Sequence, residues 1–318
     1  MCKRGIIVLF AICLTLSFVL PAGAQQKYPA RAIEYIVPWG PGGGADQLAR
    51  KSGVLLEKIL NVSFPVINVP GATGGTGITK MLAAQADGQS IAIYIADSHA
   101  VLATGEATWK ITDIVPVARM ILAPSFLFVS ENSRFKSWAD FEKEAKAKPK
   151  TLKVGTLGFG SVDDITLTYL EGKGVKVIQV PYSKPSERYV SVLGGHVDAL
   201  YEQAGDVQQY LTGKQIRPII MFGSQRFEFF KDVPCSKELG YDIGLPQFRS
   251  IVVKGGTDPA KVKALSDAFG KAAATPEYKA FLKEQFSTED SYMDAATTAK
   301  FVEAELATMK ATWAAKPK

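Results

Sequence analysis

The sequence is poor in the residues that carry covalent and metal chemistry: among 318 residues there are three cysteines and two histidines. Cys2 and Cys13 fall in an apolar N-terminal run that reads as a leader, which leaves Cys235 alone and excludes an intrachain disulfide in the mature chain. Cys235 has only His99 and His196 as possible partners, both distant and in no recognisable motif, so it reads as a buried, inert thiol. Two isolated histidines also give no metal-ligand cluster, and no cofactor is expected. There is no G-x-S-x-G elbow to set up a serine nucleophile, and no G-x-x-x-x-G-K-[ST] phosphate loop. Net charge is modest at +6 and scattered. The densest basic stretch, "KEAKAKPK" (Lys143 to Lys150), has no interleaved aromatics, so nucleic acid is not an expected partner. Beyond the N-terminal run, no apolar stretch is long enough to span a bilayer.

That N-terminal run is itself informative. Lys3 and Arg4 precede the apolar stretch Gly5 to Leu20, then Pro21 and a small-residue site Ala22-Gly23-Ala24. This is the plan of a signal peptide, residues 1–24, removed to leave Gln25 first in a periplasmic protein. Its loss lowers the formal charge from +6 to +4. The remainder, about 294 residues, is long enough for two domains with separate cores.

What the chain has in abundance is glycine at the junctions of strands and helices. "AIEYIVPW" reads as a strand, and Leu48, Leu55, Leu56, Ile59 and Leu60 recur at helical spacing after Asp46. "FPVINV" (Phe64 to Val69) and "SIAIYIA" (Ser90 to Ala96) read as further strands flanking a helix at "GITKMLAAQ". The rhythm is βαβ, hence an α/β fold on largely parallel sheets. It recurs at "LKVGTLGFGSVDDITLTYL" (Leu152 to Leu170), where Gly44-Ala45-Asp46 corresponds to Ser161-Val162-Asp163. Two apolar, β-rich segments, "PSFLFVS" (Pro124 to Ser130) and "FRSIVVK" (Phe248 to Lys254), are expected to cross between the halves. The expected division is one domain over 25–124 plus 250–318 and a second over 125–249, joined by two strands that hinge over a cleft.

Three glycine corners, Gly40 to Asp46, Gly71 to Gly77 (with Thr73 and Gly74 at its centre) and Gly158 to Asp163, qualify as anion sites. A helix N-terminus offers unpaired N–H groups and the positive end of the dipole, and glycine leaves them accessible. None of these corners carries lysine or arginine, which favours a carboxylate held by backbone donors over a multiply charged phosphate. Asp46, Asp163 and Asp164 read first as first-turn carboxylates, with Ser161 and Asp164 spaced as a capping pair, and second as groups that orient a donor on the ligand. "DGQSIAIYIADSHA" brings Asp97, Ser98 and His99 to a strand end, on the edge where α/β ligands bind. Trp39 adjoins the first corner and is expected to sense the ligand. Gly40 to Ala45 also matches G-x-G-x-x-A, so an exported α/β enzyme binding a nucleotide at the Gly40–Asp46 loop is the alternative. The acidic residue that a ribose requires is missing after the second strand, which ends "INVPGAT".

In order, "YPARAIEYIVPWGPGGGADQLAR", "VPGATGGTG", "ADGQSIAIY", "GFGS", "VPYSKP" and "LGGHVDA" resemble the substrate-binding proteins of tripartite tricarboxylate transporters, the Bug-type periplasmic receptors. The resemblance spans essentially the whole mature chain. It implies a two-domain periplasmic-binding-protein fold of type II-like form, closing on a small carboxylate and delivering it to membrane permease subunits. It also implies a monomer that binds without catalysis. By position, it assigns the ligand to main-chain groups of Gly42, Gly43, Gly44 and Asp46 in one loop and of Gly160 and Ser161 in the other. Asp163 and, in "PYSKP", Tyr182 complete the expected set. Lys184 departs from the glycine common in that motif, and Asp164 stands where many members carry histidine or another polar residue.

Overall fold

The computed structural model describes residues 28–316, so the expected leader at 1–24 lies outside the described residues. The strands form two five-stranded sheets of matching design. The first has β1 (Glu34–Val37), β2 (Val66–Asn68), β3 (Ser90–Ile95), β4 (Ile114–Ala123) and β10 (Gln247–Lys254), in the order β2-β1-β3-β10-β4. The second has β5 (Ser125–Ser130), β6 (Lys153–Thr156), β7 (Ile178–Pro181), β8 (Ala199–Gln203) and β9 (Ile216–Phe222), in the order β7-β6-β8-β5-β9. In each sheet three strands are parallel, and the fourth and fifth run antiparallel to their neighbours. The strand that enters each sheet from the other lobe, β10 or β5, occupies the same fourth position. Each pairs within a single sheet along its whole length, so the crossings themselves fall at Pro124 and at Pro246. Proline suits such a junction because it has no N–H to leave unpaired between sheets.

Helices α1 (Gly44–Leu60), α2 (Gly75–Ala83), α3 (Ala96–Thr104), α8 (Pro259–Ala273), α9 (Pro276–Glu284) and α10 (Ala295–Ala314) serve the first lobe. Helices α4 (Trp138–Ala147), α5 (Val162–Gly172), α6 (Pro185–Leu193) and α7 (Gln208–Thr212) serve the second. The apolar spacing read from Leu48, Leu55 and Leu56 is the buried face of α1, and Asn61 ends that helix in the left-handed region. Tyr35, Leu48, Phe269 and Tyr278 pack on one face of the first sheet, while Phe126, Phe128, Tyr189 and Val192 do so on the second. A third apolar cluster is continuous across both lobes, from Ile36, Tyr94 and Phe248 to Leu127, Trp138 and Ile165.

One boundary shifts by a residue: β3 stops at Ile95 rather than Ala96, and Asp97, Ser98 and His99 follow that strand end in the first turn of α3. His99 is buried; its Nε2–H donates to the Val302 carbonyl of α10 at 2.8 Å, and its Nδ1 accepts from the Tyr94 hydroxyl at 2.9 Å. Burial pushes its pKa down to about 4, so it is a neutral core tie between α3 and α10. Cys235 is buried, with its thiol directed at the Glu238 carboxylate 3.6 Å away.

Candidate ligand-binding cleft

The glycine corners after β1 and β6 fold alike, one residue out of step with the sequence correspondence. Gly43 and Ser161 are the N-caps of α1 and α5, which places Asp46 opposite Asp164 rather than Asp163. In both loops the preceding glycine has positive φ, +86° at Gly42 and +72° at Gly160. Each donates its N–H to that aspartate, at 3.1 Å in the first loop and 2.8 Å in the second. The conformation favours glycine, and the bond returns the loop to its helix. Asp46 also accepts from Asn68 and from Arg50, and Asp164 from Gln179 at 2.7 Å. Burial raises the Asp46 pKa, but Arg50 and these donors outweigh it and hold the carboxyl below its ordinary value. Asp46 and Asp164 are therefore loop staples.

The first amide of each helix is capped from the opposite lobe. Gly44 N–H donates to Asp206 of the second lobe at 3.2 Å, and Val162 N–H donates to Asp97 of the first at 3.0 Å. Gly43 and Gly44 matter through space. A Cβ on Gly43 would lie 2.9 Å from Pro185, and one on Gly44 would collide with Asp206 and Arg249. Arg249 itself reaches from β10 to Asp206 across the gap.

These groups surround a residual cavity of about 30 Å³, lined among others by Trp39, Gly43, Gly44, Asp97, Arg188, Tyr189, Glu202 and Asp206. That is room for about one or two waters, so the lobes are shut on one another. Tyr189 and Asp206 also line a larger neighbouring groove of about 410 Å³ with Gly42, Gln47 and Gln285. Within the cleft Arg188 pairs with Glu202 and stands 3.9 Å from Asp163, whose carboxylate accepts the Leu157 N–H at 2.8 Å. Burial opposes the Arg188 charge, but Glu202 and its neighbours raise its pKa. Burial pushes Asp97 up to about 6 and Glu202 up to about 7, and burial together with the Asp97 charge raises Asp163.

Several buried polar atoms on the cavity wall have no hydrogen-bond partner: Asp97 Oδ2, Arg188 Nε and Nη1, the Tyr189 hydroxyl and Trp39 Nε1. Buried groups of this kind are ordinarily satisfied, so a wall holding this many is shaped for a molecule that brings the partners.

The expected site residues thus separate. Trp39, Gly43, Gly44 and Asp97 line the cavity, and Gly42 lines the neighbouring groove. Ser98 and Gly74 sit behind Trp39, and Thr73 donates to the Phe159 carbonyl across the rim at 3.4 Å. Ser161 caps α5 through Asp164 N–H and donates to Gly158. Tyr182 is half-buried against the second-lobe core and does not line the cavity. Lys184 is exposed and pairs with Glu187 at 2.8 Å. The sequence reading passed over Arg249, Glu202 and Asp206. A charged residue inside an apolar strand, as in "FRSIVVK", is a usable signal, though an unspecific one. Arg119 in β4 shows the same pattern, yet it donates to the Ser291 and Asp290 carbonyls and lies over Phe301.

Among the described residues no group of histidine, cysteine and carboxylate side chains could hold a metal, and no helix is long and apolar enough to cross a membrane. The family profile described as tripartite tricarboxylate transporter family receptor matches residues 48–315. A protein from the gbd 5' region of Cupriavidus necator is 30% identical over 285 residues, covering 89% of this chain and 86% of its own. The crystal structure of a TctC solute-binding protein from Polaromonas, without ligand, has 27% identity and a TM-score of 0.66, covering 90% of this chain and 98% of its own. MatC from Rhodopseudomonas palustris with bound malate shares the fold at 21% identity and a TM-score of 0.81, covering 90% of this chain and all of its own. With its paired sheets and closed interlobe cleft, the chain belongs to the family of tripartite tricarboxylate transporter receptors.

Proposed function

We propose that this protein is a periplasmic solute receptor that captures a small carboxylate between its lobes and presents it to the membrane permease of a tripartite transporter. The observation that carries the reading is the set of partnerless buried donors on Arg188, Tyr189 and Trp39, which line one cavity beside the N-terminus of α1. Donors of that kind suit an anion whose charge is met by hydrogen bonds rather than by a free lysine. Malate bound to MatC, a protein of the same fold, supports the choice of a carboxylate. On this reading Trp39, Gly42, Gly43, Gly44 and Asp97 contact the ligand, Gly160 and Ser161 shape the second loop, and residues 1–24 direct export. The two lobes, divided at Pro124 and Pro246, part to admit the ligand and close on it.

The reading is of a binding protein, not an enzyme, because the cleft lacks a nucleophile set against a base. A nucleotide at the first loop is disfavoured by β2, which ends in Asn68, whose amide is tied to Asp46 and the Trp39 carbonyl. Native mass spectrometry of freshly purified protein tests this directly. The expected result is a co-purifying acid of a few hundred daltons or less, or a mass shift on adding dicarboxylates. A retained nucleotide would overturn the reading.

A further inference from the structure

The two walls of the cleft ask for different chemistry. On the second lobe, Arg188 Nε and Nη1 and the Tyr189 hydroxyl lack partners. On the first lobe Trp39 Nε1 is a further donor without a partner, but beside it stands an acceptor without one, Asp97 Oδ2, on a residue only 1% exposed. Its other oxygen is fixed by Val162 N–H at 3.0 Å, so the carboxylate cannot simply turn away. A plain carboxylate would answer the Arg188 side. It would leave Asp97 Oδ2 against a methylene or another oxygen, an unpaired buried acceptor.

The charges point the same way. Asp97, Asp163, Glu202 and Asp206 face Arg188 and Arg249 in this cleft, and Arg188 and Arg249 already pair with Glu202 and Asp206. Bringing in a further carboxylate adds to an existing excess of acid unless the ligand also brings a positive charge. A hydroxyl would supply a donor but no charge, whereas an ammonium group supplies both.

We infer that this cleft takes an amino-substituted carboxylate, with Asp97 Oδ2 receiving its ammonium group and Arg188 facing its carboxylate. This rests on the reading of the cleft as a carboxylate site. Asp97 is then the residue that separates amino acids from the corresponding plain and hydroxy acids.

Titration calorimetry on the purified mature chain, with matched probes on two skeletons, tests the assignment. The probes are succinate, L-malate and L-aspartate, and adipate with L-2-aminoadipate. On at least one skeleton the amino member should bind about tenfold tighter or more than its unsubstituted or hydroxy counterpart, as a charge-assisted bond implies. Asp97→Asn keeps Oδ1 for Val162 N–H and turns the other atom into a donor, so the preference should collapse to near equality. Equal or tighter binding of the plain or hydroxy acids by the wild type overturns the inference and leaves the carboxylate reading standing. Binding of no member overturns both. An amino preference unchanged in folded Asp97→Asn overturns the role of Asp97. The wild-type ratio needs no variant, so a misfolded Asp97→Asn does not weaken the test.

Discussion

At the scale of single residues, the closed cleft depends on atoms that are missing as much as on those present. Gly44 sits where any side chain would strike Asp206 and Arg249, while Lys184 lies exposed beside Glu187. Gly44→Ala should therefore weaken ligand binding about tenfold or more, and Lys184→Ala by less than about twofold, in calorimetry with the tightest-binding acid. Gly43→Val should resemble Gly44→Ala, because its Cβ would meet Pro185 at 2.9 Å. The buried acids give a second prediction. Burial raises Asp97 to about 6 and Glu202 to about 7, so the folded protein holds protons there that the unfolded chain has released. Stability from these groups is highest near pH 4 and falls as pH rises towards 7. His99, lowered by burial to about 4, has the opposite sign over the same window but is one group against several. The melting temperature should fall between pH 5 and pH 7. Asp97→Asn should flatten the slope by about one proton, roughly 1.4 kcal/mol per pH unit at most.

At the scale of elements, the two strand–glycine–helix corners are the same device built twice. Ser161 is the capping residue of α5, accepting from Asp164 N–H at 3.2 Å, whereas its counterpart Gly43 has no side chain to cap with. Ser161→Ala should thus cost about 1 kcal/mol in urea unfolding, with the slope against denaturant unchanged. These corners were legible in the sequence because everything that makes them is local: a β-rich run, glycines, then a helical apolar period. Their alignment was legible only to within one residue. Matching Asp46 to Asp163 follows the letters, but the N-caps at Gly43 and Ser161 match it to Asp164. Only the hydrogen bonds from Gly42 and Gly160 reveal which aspartate staples the loop. The helix α3 that starts directly at the end of β3 was not legible, for a related reason. Ala96 continues the apolar run of β3 without a break, so nothing in the letters marks the change of period.

At the scale of the whole molecule, the cross-lobe contacts hold the closed form. Asp206 accepts from Gly44 N–H and from Arg249, both in the other lobe. Asp206→Ala leaves Arg249 buried and unpaired, a loss on the order of 3 kcal/mol for the closed arrangement. Its radius of gyration by small-angle scattering should exceed that of the wild type, and ligand should reduce the difference. This wall of the site was hidden from the sequence because Arg249 and Asp206 meet only when the lobes shut, and nothing local in either segment names the other. The mirrored sheets carry one more consequence, for the order in which the chain can fold. β5 through β9 are contiguous, so the second sheet has all its strands once the chain has reached Phe222. The first sheet cannot close until β10 arrives to fill the place between β3 and β4. β1, β2 and β3 can pair with one another early, but the edges of β3 and β4 that β10 covers must wait, exposed, while the whole second lobe emerges. The first lobe of a chain with its leader at the amino end would thus stay unclosed in a narrow export channel until β10 appears.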